Sequence, residues 1–69
     1  MPLMRPGLTI KWQKRIVTLL EMVSETERRT WWLVRVEGLK GPPVMDYIWI
    51  YHEQEKYVEI IRDTKRQTD

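Results

Sequence analysis

Cysteine is absent from the 69 residues, so no disulfide, thiolate metal site or cysteine nucleophile can be built. Histidine occurs once, as His52, and serine once, as Ser24. With so few of these residues no Ser–His–Asp or Cys–His constellation forms, and no glycine-rich phosphate loop or metal-ligand spacing is present. No apolar run approaches the roughly 20 residues that a membrane helix needs. Met1 to Gly7 has neither the apolar core nor the small-residue cleavage site of a secretory leader, so a cytoplasmic location is expected. These absences leave the expectation of a single small binding domain, not an enzyme, with no cofactor and no metal. A chain this short buries only about 60% of its unfolded surface, so its core is thin.

What is present is charge and aromatics. Twelve Lys and Arg against ten Asp and Glu leave a net +2. That sum says little, because a polyanion reads a patch and not a total. Residues 1–20 carry Arg5, Lys11, Lys14 and Arg15 without an acid, whereas 21–27 carry Glu21, Glu25 and Glu27 without a base. Arg62, Lys65 and Arg66 make the other end basic.

Residues 1–9, with Pro2, Pro6 and Gly7, suggest an irregular arm, and 64–69 a loose tail, around one compact unit over 10–63. Trp12, Ile16, Leu19, Leu20 and Val23 fall at helical spacing, which predicts an amphipathic helix over about 10–28 with Thr9 as its cap. Three strands are expected after it, at about 31–37, 46–52 and 57–62, from β-branched and aromatic residues with period-two alternation. The expected class is therefore α+β: one N-terminal helix on a three-stranded antiparallel meander. A rival reading makes Ile16 to Val23 a strand, giving a small all-β barrel of the SH3-like kind. The placement of Lys11, Lys14 and Arg15 where a helix start prefers acids speaks for the rival. Five stripe positions in register speak for the helix.

If Tyr51 pairs with Tyr57 across a His52–Lys56 turn, one sheet face collects Trp32, Val34, Val36, Ile48, Ile50, Val58 and Ile60, an aliphatic face for the core. Asp46 then opposes Arg62. The other face collects Trp31, Leu33, Arg35, Tyr47, Trp49, Tyr51, Tyr57 and Ile61. One helix cannot cover both faces, so several aromatics stay open, the mark of a contact surface. Nucleic acid, RNA or another single strand, is the first expected partner. Trp49 and Tyr51 would stack bases, and Tyr47 would extend the surface, with Trp31 and, if this register holds, Tyr57 beside them; Arg35 would pair with phosphate, and Lys40, Arg62, Lys65 and Arg66 would flank the aromatics. Arg5 would extend the basic surface, and Glu59 on the same face opposes a phosphate track. The alternative partner is a protein, either a second copy of the chain or a larger assembly, on the same face. A third possibility needs no partner: Leu3, Met4 and Leu8 fold over the aromatics as a lid.

The smaller signals have plain explanations. His52 beside Glu53 fits a solvated turn, Glu53 and Glu55 fit solvated acids, and Lys11, Lys14 and Arg15 fit the polar side of a helix. The stretch from Tyr47 to Arg66, strand, turn, strand and basic tail, is loosely similar to the C-terminal half of the RelE-type messenger-cleaving toxins. That resemblance spans about a third of the chain and would imply Lys, Arg and Tyr chemistry without a triad.

Overall fold

The β-branched residues of the first half decide its conformation. Ile16, Val17, Thr18 and Val23 lose side-chain freedom in a helix and fit a pleated sheet well. In the computed structural model, which describes residues 4–64, no helix forms there. The chain instead runs through β1 (Leu8–Trp12), β2 (Arg15–Glu25), β3 (Arg29–Val36), β4 (Val44–Tyr51), a 3-10 turn (His52–Tyr57) and β5 (Glu59–Asp63). All neighbours are antiparallel, in the order β4-β3-β2-β1-β5. The helix-on-meander class is thus overturned, and the architecture is a five-stranded antiparallel sheet.

The helical spacing of Trp12, Ile16, Leu19, Leu20 and Val23 has another origin. Trp12 belongs to β1, and the other four to a β2 whose register slips at Leu19/Glu21 and again at Met22/Ser24. Each bulge adds a residue and resets the alternation, so a bent strand imitates a longer period. The five side chains share no single buried face: Leu19 is fully buried while Val23 is exposed. Thr9 caps nothing. It is buried in β1 opposite Thr18, and the two hydroxyls lie 2.8 Å apart. Thr18 gives its one proton to Glu37, so Thr9 donates to Thr18.

The second half keeps its face assignment but not its pairing. Trp32, Val34, Ile48 and Ile50 are buried as expected, with Val36 and Val58 packed against them. The hairpin between 46–52 and 57–62 does not form. Residues 52–57 wind into the 3-10 turn and β5 crosses to β1, with Ile10 opposite Ile60 and Lys11 opposite Glu59. On this outer edge Ile60 is half exposed and takes no place in the core. Asp46 consequently pairs with Arg15, and Arg62 faces Thr9.

The core comprises Met4, Leu8, Ile10, Val17, Leu19, Trp32, Val34, Ile48 and Ile50. Leu8 and Thr9, expected at the end of an arm, open β1. Met4 and Leu8 therefore do cover something, but it is the aliphatic core and not the aromatic face; Leu3 lies outside the described residues. The indole N–H of Trp32 donates to the Thr30 hydroxyl at 2.8 Å, and that hydroxyl donates to the Ile50 carbonyl at 3.3 Å. The largest core side chain thus has its polar atom satisfied. Gly7, at φ 97°, ties three strands together: its N–H reaches the Leu19 carbonyl and its carbonyl accepts from Thr64.

Candidate functional site

The outward side chains of β3 and β4 are set by a register without a slip. Trp31 lies opposite Trp49, Leu33 opposite Tyr47 and Arg29 opposite Tyr51. Alternation puts these six on one face, away from the core. Trp31 stacks on Tyr47 with ring centroids 5.7 Å apart and planes 9° from parallel. On its other side it meets Trp49 at 4.2 Å and 40°. The Arg29 guanidinium lies 3.8 Å from the Trp49 ring centre and 5.8 Å from that of Tyr51, and donates to the Tyr51 hydroxyl at 3.3 Å. The result is a ladder in the order Tyr47, Trp31, Trp49, Arg29, Tyr51. Its inner members are covered by their neighbours, whereas Tyr47 at one end is 51% exposed.

A groove of about 710 Å³ runs from this ladder to the β1–β2 turn and the 3-10 turn. Trp12 and Gln13 come from the first of these turns and its strand, and Gln54 and Tyr57 from the second. No carboxylate lines it, and Lys11 is the one charged side chain that does. Cations sit close to the rings around it as well: Arg15 lies 5.9 Å from Trp12 and Lys56 lies 5.3 Å from Tyr57. Such pairs are each favourable by about 0.5–1 kcal/mol at exposed sites.

All five aromatics singled out in the sequence, Trp31, Tyr47, Trp49, Tyr51 and Tyr57, line this groove. The expected cations do not. Arg35 turns its Nε to Glu37 at 3.0 Å. Glu37 is held below the usual carboxylate range chiefly by the Thr18 hydroxyl, with burial opposing and Arg35 assisting. Lys40 is in the connection between β3 and β4, and Arg62 is in β5. Lys65 and Arg66 lie outside the described residues. Arg5 is engaged with Asp63. Glu59, which was expected to oppose phosphate on this face, does not line the groove.

In place of those cations the fold supplies Lys11 and Arg29, together with the carboxamides of Gln13 and Gln54. Arg29 had a signal in the sequence, since it stands two residues before Trp31 and alternation places it on the same face. The residues from the two turns had none, because the turns meet only through the β1–β5 crossover.

A second polar cluster joins the loop after β2 to the 3-10 turn. His52 sets Nε2 3.1 Å from the Thr26 carbonyl and 3.6 Å from a Glu25 oxygen, and Nδ1 3.3 Å from the buried Glu55 carboxylate. Both ring nitrogens face acceptors, which favours the doubly protonated ring. The carbonyl of Thr26 raises the His52 pKa most; desolvation opposes it next, and Glu55 and then Glu25 add to the rise. His52 is thus a cross-link and not a solvated turn residue. Asp46, beside the ladder, is kept ionised first by the Tyr47 N–H and then by Arg15.

Among the described residues no group of three or more His, Asp or Glu side chains is placed to hold a metal ion, and no helix is long and apolar enough to cross a membrane. No protein-family model, curated protein or solved structure matches this chain.

Proposed function

We propose that this chain is a small binding module that takes single-stranded nucleic acid, RNA in particular, along the aromatic groove. The observation that carries this reading is the combination of an acid-free aromatic wall with a cation beside its rings at Trp49, Tyr51 and Tyr57. Single strands are held by the same pairing, with bases stacked on rings and phosphates drawn to nearby Lys and Arg. The ladder assigns the roles. Trp49 is enclosed between Trp31 and Arg29 and offers no free face. Stacking falls to the exposed tyrosines, Tyr47, Tyr51 and Tyr57, while Lys11, Arg29 and Lys56 meet the backbone.

Tryptophan fluorescence reports directly on this wall. A titration with short single-stranded RNA and DNA at low and moderate salt is expected to show saturable quenching that weakens steeply as salt rises. Absence of any change at either salt would sink the proposal and direct attention to a protein partner on the same aromatic surface.

A further inference from the structure

Gln13 is the one non-glycine residue with a positive φ among the described residues, at 57°. With Lys14 it forms the two-residue connection between β1 and β2, where Trp12 pairs with Arg15. Tight hairpin turns of this kind call for left-handed backbone, which Gly, Asn or Asp adopts with least strain. A long glutamine is a poor choice for the turn alone. Strained positions of this sort gather at ligand-contacting sites, where the side chain is wanted for something other than folding.

Gln13 lines the groove, and so does Gln54 from the 3-10 turn. Two carboxamides from separate turns therefore reach the same aromatic wall. A carboxamide is uncharged and adds nothing to phosphate attraction. It offers a donor and an acceptor side by side, the pattern that pairs with the edge of a base whose face is already stacked. Every base offers a donor beside an acceptor on its Watson–Crick edge, but on the Hoogsteen edge adenine alone presents the pair, N7 accepting and N6 donating.

We infer that Gln13 and Gln54 are the specificity-determining residues of the groove, reading the Hoogsteen edge of a stacked adenine. This rests on the nucleic-acid reading given above, and deepens it by naming the base.

The test compares oligoadenylate with the same strand built from purine lacking the 6-amino group, so that stacking is retained and the donor is lost. The native chain is expected to bind the adenine strand about 5- to 150-fold more tightly, the range that one good bidentate contact gives. In Gln13→Gly, which relieves the backbone, and in Gln54→Ala, that ratio is expected to fall several-fold toward one. Lys14→Ala, a change in the same turn outside the groove wall, is expected to keep the native ratio. A native chain that binds both strands equally, or variants that both keep the full ratio, would overturn the inference while leaving the groove as a nucleic-acid site. A native chain that binds neither strand would overturn both readings, and that measurement precedes the variants.

Discussion

His52 illustrates how one side chain can couple two loops and make the coupling depend on pH. Its ring spans from the Thr26 carbonyl to the Glu55 carboxylate, and its own N–H donates to the Arg28 carbonyl at 2.9 Å. A histidine whose folded pKa is raised stabilises the fold fully below its unfolded value of about 6.5. That contribution is lost as pH climbs through the raised folded value. His52→Gln is therefore expected to lower the melting temperature relative to the native chain more at pH 5.5 than at pH 8.5. Thermal melts at the two pH values check this; an equal loss at both would mean that the ring acts without its charge. Nothing near His52 in the sequence announces the link, because Thr26 and Glu25 lie 26 and 27 positions away.

The aromatic residues divide at the same scale. Tyr57 is 78% exposed and touches little beyond Lys56. Tyr57→Ala is expected to change stability by less than about 0.5 kcal/mol, while weakening a stacked strand by about 1–3 kcal/mol. Trp49→Ala removes the middle of the ladder, and with it contacts to Trp31 and Arg29. A stability loss of about 1–2 kcal/mol is expected there, from one aromatic pair and one cation–π contact. Urea unfolding and the fluorescence titration, run on both variants, separate the two effects. The inward and outward sets of β3 and β4 were readable as sequence because period two is unbroken there. That Trp49 is enclosed was not, since alternation gives a side and not a neighbour.

Among elements, β2 and β5 mark where pattern reading stops. Bulges in β2 break the very periodicity that would reveal a strand, and a helical stripe was the false residue of that break. For β5 the alternation was visible but the partner was not. A polar stretch of five residues looks like a hairpin turn, yet His52 and Glu55 fold it into a 3-10 turn that releases the chain toward β1. The all-β rival had the conformation of residues 16–23 right, and the basic start of the supposed helix was its physical warrant. The sheet arrangement makes β5 indispensable, because β1 has hydrogen-bonding neighbours on both sides and buries Leu8 and Ile10. A chain ending at Val58 is expected to lose cooperative unfolding altogether, as circular dichroism against temperature would reveal. A sharp transition in that shorter chain would mean that four strands suffice.

For the whole molecule, net charge is a poor guide and its arrangement a better one. The +2 total conceals an aromatic groove without acids, while Glu21, Glu27 and Glu53 are exposed elsewhere. If single strands bind there, each phosphate met by a cation releases about 0.7 counterion. Lys11→Ala and Arg29→Ala are then each expected to flatten the slope of log affinity against log salt by about that amount. Substituting Lys40, which lies away from the groove, is expected to leave the slope unchanged. The same titration at several salt concentrations measures all three. Equal slopes in every variant would place the phosphates somewhere other than the groove.

The pairing of β1 with β5 joins segments far apart in the chain, Leu8–Trp12 and Glu59–Asp63. Contacts of such separation form slowly, because the intervening chain must close before the pairing repays its lost entropy. With β5 undocked, β1 has β2 alone as a neighbour and presents a row of unpaired backbone groups along its other side. Any state in which β5 is detached therefore offers neighbouring chains the same edge that β5 occupies in the finished sheet.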